Sequence, residues 1–317
     1  MAGERSDEIL VVGGGVVGLT TAVVLAERGE RVRLWTREPA EETTSAVAGA
    51  LWWPYHIEPL ALARAWALRS LDVYEESAAR PEVTGVRMVE GVLGEADLDG
   101  ADSWLAGRVP ELRAATAEEY GGVGILACLP LIDMPAHLAW LRERFVAAGG
   151  VVETRTVSRG FPEADAPVVV NCTGLGAREL VPDPSVRPVR GQLVVVENPG
   201  ISTWLVSGTA GGEMAYFFPQ PGRLVLGGTA EDDVWSTEPD PAVAEAIVAR
   251  CAALRPEIAG ARVLAHRVGL RPARDRVRLE AERLPDGRLL VHNYGHGGAG
   301  VTVAWGCAEE AAGLVPG

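Results

Sequence analysis

Hydrophobic positions near the amino terminus predict a strand, a turn, a helix and a second strand. Ile9–Val12 form a continuous apolar run, which is typical of a strand buried on both faces of a parallel sheet. Residues 19–28 suit a helix, and Gly29 follows where a helix commonly ends. The segment 31–36, RVRLWT, has the composition of the second strand.

Helical spacing of apolar residues returns in two longer segments. Leu62, Trp66, Leu71 and Tyr74 recur at intervals of three to five residues, as on one face of a helix. A second helix is predicted after Asp133, whose carboxylate suits an N-terminal cap. Helices that alternate with strands in this way are typical of an α/β fold.

Short apolar runs predict strands along most of the remaining chain. PQPG at 219–222 predicts a hairpin turn, and the glycine-rich segment 295–307 predicts a turn that leads into a last helix. The other expected elements are strands at 151–157, 167–171, 190–198, 262–271 and 288–293 and a helix near 241–254. Because no repeat or linker separates them, we expect two domains joined by several crossings of the chain.

Glycines at the first turn predict a dinucleotide site. Gly13, Gly15 and Gly18 spell GxGxxG between a predicted strand and a predicted helix. Such glycines let a pyrophosphate approach the backbone N–H groups, and the positive end of the helix dipole faces the phosphates. Glu38 lies at the distance expected for a ribose-binding acid, although it also suits a solvated loop. The neighbouring Arg37 suits a ribose 2′-phosphate, so this pair leaves flavin and nicotinamide cofactors open.

A second glycine-rich helix start lies at the opposite end of the chain. Gly295, Gly297, Gly298 and Gly300 precede the last predicted helix. Two such starts suit one long cofactor, a flavin dinucleotide, held noncovalently because no motif indicates a covalent link. The positive end of the second helix would stabilise negative charge on the reduced ring. His296 within this segment is interpreted as a loop-holding or core residue.

Composition narrows the functional class. The net charge of −14 argues against nucleic acid and anionic membranes as partners. We predict no signal peptide, no membrane span and no metal site. The cysteines form no CxxC pair and are expected to be buried, reduced thiols of a cytoplasmic protein: Cys128, Cys172, Cys251 and Cys307.

Seven stretches of the chain, in order, resemble the D-amino acid oxidase family of flavoproteins. They are VVGGGVVGL, ETTSAVAGALWWPY, VVNCTGLGA, PVRGQLV, AYFFPQPG, VGLRPARDRVRLE and HNYGHGGAGVTVAWGCA. The resemblance implies an α/β fold in which a Rossmann-like FAD-binding domain is interleaved with a mixed-sheet substrate-binding domain. The expected FAD-binding domain comprises 1–70, 133–185 and 264–317, and the expected substrate-binding domain comprises 71–132 and 186–263.

The resemblance also implies a set of site residues. The substrate carboxylate would bind Arg271 and Tyr216, and the substrate amine would bind the carbonyl of Gly298. The implied FAD contacts are Gly13, Gly15, Val16, Val17, Gly18, Arg37, Glu38, Thr43, Thr44, Ser45, Gly49, Ala50, Leu51, Val157, Thr173, Gly297, Gly298, Gly300, Val301 and Thr302. Two positions depart from the family pattern. Gly212 stands where a second active-site tyrosine is usual, and Trp53 stands where a polar residue is common.

The stretch GLRPARDRVRL, residues 269–279, independently singles out Arg271. Alternation places Arg271 at a strand end, and we expect Pro272 to end the pairing. Arg276 and Arg278 alternate with apolar residues and are expected to be solvated. Arg274 is expected to pair with Asp275 or with an acid elsewhere. Arg271 therefore remains to hold an anion, by two parallel hydrogen bonds to a carboxylate.

The implied reaction is the oxidation of a D-amino acid to an imino acid. Water then hydrolyses the imino acid to a 2-oxo acid and ammonia, while O2 is reduced to hydrogen peroxide. Neutral, apolar D-amino acids are expected to be preferred over D-aspartate. A glycine or sarcosine oxidase and a nonenzymatic dinucleotide-binding regulator remain as alternatives, and a homodimer stays open.

Overall fold

The computed structural model describes residues 8–98, 104–105, 107–208 and 214–316. Within these ranges fourteen strands form one mixed sheet. The strands are β1 Glu8–Val12, β2 Arg31–Thr36, β3 Val86–Gly94, β4 Arg113–Ala114, β5 Gly124–Ile132, β6 Val151–Thr154, β7 Val168–Asn171, β8 Arg187–Glu197, β9 Trp204–Ser207, β10 Ala215–Gln220, β11 Arg223–Gly227, β12 Glu231–Asp232, β13 Val263–Arg283 and β14 Leu289–His296.

Helices cover both parts of this sheet. The α-helices of the described ranges are α1 Val16–Glu27, α2 Thr44–Val47, α3 Leu60–Ser77, α4 Pro81–Thr84, α5 Met134–Ala147, α6 Ala177–Leu180, α7 Pro241–Leu254 and α8 Gly300–Gly313. Short 3-10 helices lie at Ala40–Glu42, Gly174–Gly176, Pro256–Gly260 and Gly297–Ala299.

The parallel half of the sheet has the order β14-β7-β1-β2-β6. Residues 9–12 of β1 are buried, as their continuous apolar run predicts. Helix α1 begins at Val16, earlier than predicted, and it is buried along most of its length because its residues are apolar nearly all round. Gly29 adopts a left-handed φ of 93° just after the helix end, which confirms the predicted stop.

The other half of the sheet has the order β4-β5-β3-β9-β10-β11-β8 and is mostly antiparallel. The hairpin predicted at 219–222 is confirmed, since Gln220 of β10 pairs with Arg223 of β11. Helix α7 lies where it was predicted and packs Ile247 and Cys251 into a separate apolar cluster with β8, β10 and β11.

Strand β13 connects the two halves, and here the prediction for Pro272 was wrong. The strand pairs with β8 up to Ala273, continues through Pro272 and then pairs with β14 after an irregularity in register. Pro272 stands opposite Pro188 of β8. Alternate pairs of an antiparallel ladder exchange no hydrogen bonds, so two prolines are tolerated at such a pair without losing a donor.

The arginines of β13 separate by partner. Arg274 donates to Asp183 at 2.8 Å, an acid outside its own strand. Arg276 is exposed as predicted. The prediction of a solvated Arg278 was wrong, because the strand partner Tyr294 brings its hydroxyl within 2.9 Å of the guanidinium.

Two further expectations have mixed outcomes. Asp133 is the N-terminal cap residue of α5, but its carboxylate binds Arg223 at 2.7 Å and makes no cap hydrogen bond. All four cysteines are free; three are buried and Cys128 is half-buried.

In the described ranges no helix has both the length and the apolar composition that a membrane crossing requires. The same ranges contain no cluster of His, Cys, Asp and Glu suited to a metal ion.

We predict that Asp183→Asn destabilises the fold in a pH-dependent way. Burial raises the pKa of Asp183, but hydrogen bonds from Ser185, Tyr294 and Arg274 outweigh burial and lower it to about 2. A lowered folded-state pKa stabilises the fold above the ordinary value of 3.8, and this stabilisation is lost as pH falls towards 2. Urea unfolding should show a loss of about 2 kcal/mol at pH 7 that shrinks below pH 4. The exposed Asp275→Asn is the control, and an equal loss in both variants would contradict the assignment.

Candidate functional site

A cavity of about 1510 Å³ runs from the turn between β1 and α1 to strands β10 and β13. This volume exceeds the roughly 300–1,000 Å³ of a typical small-ligand site, which leaves room for a long cofactor and a substrate. Nearly every residue implied by the family resemblance lines it: Gly13, Gly15, Val16, Val17, Arg37, Glu38, Thr43, Thr44, Ser45, Gly49, Ala50, Leu51, Val157, Thr173, Tyr216, Arg271, Gly297, Gly298, Gly300, Val301 and Thr302.

The first glycine turn brings the amino terminus of α1 to the cavity. Its cap residue Gly15 has no side chain, and the hydroxyl of Ser45 accepts a hydrogen bond from the N–H of Val16 at 2.9 Å. Gly18 does not line the cavity. A Cβ on Gly18 would come within 1.8 Å of the Gly13 carbonyl oxygen, so this glycine lets the helix pack on the turn.

The amino terminus of α8 reaches the same cavity from the far end of the chain. Its cap residue Ala299 makes no side-chain hydrogen bond. The hydroxyl of Thr302 in the first turn donates to the carbonyl of Trp53 at 2.9 Å, which ties the helix to the cavity wall. Two helix starts whose own cap residues make no side-chain hydrogen bond therefore face one cavity. Their positive ends fit a ligand with a pyrophosphate and a ring that becomes negative on reduction.

Arg37 and Glu38 form an ion pair with each other at 3.1 Å, and both line the cavity. The backbone carbonyl of Glu38 accepts a hydrogen bond from Thr36 at 2.6 Å, which fixes the loop after β2. Glu38 lies in this partly exposed loop and also lines the cavity, so its role as a ribose-binding acid stays a prediction. With its charge matched by Glu38, Arg37 is a weaker candidate for a ribose 2′-phosphate.

Arg271 lines the same cavity and has no carboxylate partner among the described residues. It donates from Nη1 to the backbone carbonyl of Thr229 at 3.0 Å. Its guanidinium lies against Gly191 of β8, where a Cβ would come within 2.5 Å of Nη1. A carbonyl orients the guanidinium but does not neutralise it, so the charge stays available for an anion.

Tyr216 and Gly298 lie beside Arg271. Tyr216 stacks on Phe218 with ring centroids 4.7 Å apart. Burial raises the pKa of the Tyr216 hydroxyl, while the nearby guanidinium of Arg271 opposes this shift. A Cβ on Gly298 would lie 3.4 Å from the Cδ of Arg271. The three residues implied for substrate binding thus meet at one end of the cavity.

Several cavity residues were not anticipated from the sequence. Tyr55 lies against Gly298, with its Cδ1 atom 3.1 Å from the position of a Cβ there. Thr229 and Arg250 also line the wall. Tyr55 is the last residue of the family-like stretch ETTSAVAGALWWPY, but no pattern in the sequence assigns it a contact.

His296 is buried and also lines the cavity, and burial lowers its pKa to about 4, so its ring is neutral at neutral pH. Trp53 lines the cavity. Gly212 lies outside the described residues.

Comparison with known proteins identifies the family. A family model described as "DAO: FAD dependent oxidoreductase" matches residues 8–314. The chain belongs to this family. Its members use FAD, so the choice between flavin and nicotinamide that the sequence left open is decided for FAD, and the predicted family and cofactor are confirmed.

Curated relatives within the family align along nearly the whole chain. The chain is 78% identical over 312 residues to a D-amino-acid oxidase of Streptomyces coelicolor, covering 98% of this chain and 97% of the relative. It is 50% identical over 321 residues to a D-amino-acid oxidase of Rubrobacter xylanophilus, covering 99% and 97%. It is 35% identical over 330 residues to a human D-aspartate oxidase, covering 97% and 94%.

Solved structures with little sequence identity share the fold. A glycine oxidase from Geobacillus kaustophilus superimposes with a TM-score of 0.79 at 21% identity and covers 98% of this chain and 95% of that one. An L-proline dehydrogenase from P. horikoshii has a TM-score of 0.79 at 16% identity, with coverages of 98% and 93%. These likenesses confirm the predicted mixed α/β fold and carry no information about the substrate.

We predict that FAD is held without a covalent bond. Cys172 is the cysteine that lines the cavity, and burial raises its thiol pKa to about 12, so the nucleophilic thiolate is suppressed at neutral pH. Denaturing the purified yellow protein should release all of its flavin absorbance into the filtrate of an ultrafiltration membrane. Flavin that stays with the denatured chain would contradict this prediction.

Proposed function

We propose that the chain is an FAD-dependent D-amino-acid oxidase that prefers neutral, apolar D-amino acids. The observation that carries this proposal is Arg271, whose guanidinium lines the cavity, is oriented by a carbonyl and forms no ion pair with a described acid. The identity of 78% to a D-amino-acid oxidase supports the reaction class.

The side chain of Arg271 would bind the α-carboxylate of the substrate. A planar guanidinium and a planar carboxylate form two parallel hydrogen bonds, which fix the distance and the orientation of the substrate. The hydroxyl of Tyr216 would donate a further hydrogen bond to the same carboxylate. Because burial and the stacked ring of Phe218 hold Tyr216 in place, this donor needs little reorganisation when the substrate binds.

The carbonyl of Gly298 would accept a hydrogen bond from the substrate amine. With the carboxylate at Arg271, the amine at Gly298 and the side chain against the apolar wall, three of the four substituents on Cα are placed. The direction of the Cα–H bond is then fixed for one enantiomer. With its carboxylate and amine bound in the same way, the other enantiomer would direct its side chain to the position of that hydrogen. Such a site selects between enantiomers by positioning alone.

FAD, when bound, supplies the two-electron oxidation, and O2 would restore the oxidised cofactor with release of hydrogen peroxide. The residues of the chain position the substrate and exclude water. Neutral His296 adjoins the implied substrate residues but carries no charge that would compete for the carboxylate. Because FAD supplies the oxidation and the chain positions the substrate, the reaction needs no general acid or base from the chain.

The substrate side chain would meet a mostly apolar wall. Its aromatic and aliphatic members are Leu51, Trp53, Tyr55, Trp204, Val206, Met214 and Phe218. A second carboxylate in this region would lose its hydration without an assured partner, which typically costs several kcal/mol. Arg223 is bound to Asp133, and neither it nor the exposed Arg267 lines the cavity. Arg250 does line it and is the basic residue to test if acidic substrates prove better.

The alternatives have less support. The glycine oxidase likeness is one of fold at 21% identity, well below the identities to D-amino-acid oxidases. A nonenzymatic regulator would not need an arginine held ready for an anion beside the cofactor cavity.

The proposal also includes the domain division, the compartment and the assembly. The parallel strands β14, β7, β1, β2 and β6 fall within the proposed FAD-binding ranges 1–70, 133–185 and 264–317. The strands β3, β5 and β8–β11 fall within the substrate-binding ranges 71–132 and 186–263. The cytoplasmic location rests on the sequence and stays a prediction, and a homodimer stays open.

Arg271→Leu should lower kcat/KM for D-alanine severely, mainly through KM. Losing a charged bidentate contact typically costs about 2–5 kcal/mol, so the fall should be at least about thirtyfold. Tyr216→Phe removes one hydroxyl and should cost less, about 1–2 kcal/mol. Steady-state kinetics at one oxygen level measures both effects. Arg267→Leu, an exposed change on the same strand, should match the wild type. If Arg271→Leu stays within about threefold of wild type, the carboxylate binds elsewhere.

Neutral D-amino acids should be oxidised with higher kcat/KM than D-aspartate. The comparison uses D-methionine, D-phenylalanine, D-alanine and D-aspartate in one buffer, with anaerobic bleaching of the flavin as a direct check of substrate oxidation. No bleaching by any D-amino acid would refute the proposed reaction. If D-aspartate is the best of the four, the preference is wrong, and Arg250→Leu would then test whether that side chain binds the second carboxylate.

A further inference from the structure

Thr229, whose carbonyl orients Arg271, is itself held by two hydrogen bonds of its hydroxyl. The hydroxyl of Thr229 accepts from the backbone N–H of Gln192 at 3.0 Å and donates to the carboxylate of Glu231 at 3.2 Å. The carbonyl of the same residue accepts from Nη1 of Arg271 at 3.0 Å. The side chain of Thr229 therefore fixes the backbone group that fixes the guanidinium.

A buried arginine anchors the segment that follows Thr229. Arg190 of β8 is only 4% exposed, and its Nη1 donates to Glu231 at 2.5 Å. Its Nε donates to the carbonyl of Ser236 at 3.1 Å and its Nη2 to the carbonyl of Glu238 at 2.7 Å. One rigid guanidinium thus contacts three points of the segment 229–240, part of which lines the cavity.

Glu231 has a second role in this arrangement. It lines the cavity, so a freely placed carboxylate there would repel a substrate carboxylate approaching Arg271. Both of its described hydrogen bonds, from Arg190 and Thr229, use the same oxygen, Oε1. Arg190 therefore balances the charge of Glu231 and also fixes its position.

We propose that Thr229 is a positioning residue for substrate carboxylate binding. In this proposal, the hydrogen bonds that link Arg190, Glu231 and Thr229 keep the carbonyl of Thr229 aligned with the guanidinium of Arg271. This inference rests on the proposed function, because the carboxylate is that of the amino acid substrate. A bidentate hydrogen bond requires the guanidinium plane to match the carboxylate plane. Loosening Thr229 should therefore weaken carboxylate binding without removing any group that touches the substrate.

The direct test compares Thr229→Val, which keeps the shape and removes the hydroxyl, with Thr229→Ser, which keeps the hydroxyl. Thr229→Val should raise KM for D-alanine by about tenfold, the equivalent of roughly one lost buried hydrogen bond. It should change kcat by less than about twofold, because no contact to the reacting atoms is lost. Thr229→Ser should stay close to wild type.

A carboxylate that cannot be oxidised separates binding from turnover. Butyrate carries the carboxylate and a short apolar chain but no amine, and its Kd can be measured from the change it causes in flavin absorbance. Thr229→Val should raise this Kd by the same factor as KM. Equal butyrate affinities in Thr229→Val and wild type would overturn the proposal.

Arg187→Gln is the matched control. Arg187 lies on β8 like Arg190 and binds Asp232, the neighbour of Glu231, but it does not line the cavity. Arg187→Gln should leave KM and the butyrate Kd unchanged. It tests whether any loosening of the segment 229–240 raises these two constants as Thr229→Val does. An increase in KM equal to that of Thr229→Val would show a general structural effect and overturn the specific role of Thr229.

A second variant covers the case in which Thr229→Val does not fold. Glu231→Ala removes a half-exposed side chain and frees the hydroxyl of Thr229. Removing a negative charge near the site would by itself tighten carboxylate binding, whereas lost alignment of Arg271 would weaken it. The proposal requires a higher butyrate Kd, and a lower one would refute it. Failure of the wild type to oxidise any D-amino acid would instead refute the proposed function.

Discussion

The site depends on one partly buried arginine that has no carboxylate partner within the described ranges of the chain. Gly191 leaves room for the guanidinium of Arg271, and the carbonyl of Thr229 takes one of its N–H groups. On the same strand, Arg274 is neutralised by Asp183. A carbonyl can orient a guanidinium while leaving its full charge available, which an acid cannot do. The other contacts described for the site keep the guanidinium of Arg271 in position and leave its charge available.

Strand β13 connects the proposed FAD-binding and substrate-binding parts of the sheet. Its first part pairs with β8, which carries Gly191 and Arg190, and its second part pairs with β14, which leads into the glycines before α8. Arg271 lies just before this change of partner. The implied carboxylate contact and the implied amine contact at Gly298 are therefore held by neighbouring strands of a continuous sheet rather than by two bodies that move separately.

Features decided by adjacent residues could be predicted from the sequence. The turn before α1, the hairpin at 219–222 and the position of α7 follow local rules of glycine, proline and apolar spacing. Nearly all the site residues implied by the family resemblance line one cavity, with Gly18 as the exception.

The remaining features depend on residues far apart in the chain. Arg274 and Asp183 are 91 positions apart, and no local pattern pairs them. The continuation of β13 through Pro272 depends on Pro188 opposite it, and the support of Arg271 depends on Thr229, 42 positions earlier. These contacts arise only when β8, β13 and the segment after β11 come together in the sheet.

The register of β13 also limits how this fold can tolerate insertions and deletions. Moving the strand by one residue against β8 would turn Arg271 to the opposite face of the sheet, because side chains alternate along a strand. The irregularity between Ala273 and Arg278 lets the second part of the strand keep its own alignment with β14. Changes in length are therefore admissible in the exposed turn after Arg283, because they leave the pairing of β13 with β8 unchanged. They are not admissible between Ala265 and Arg271, where the pairing with β8 is continuous and each added residue would displace the arginine.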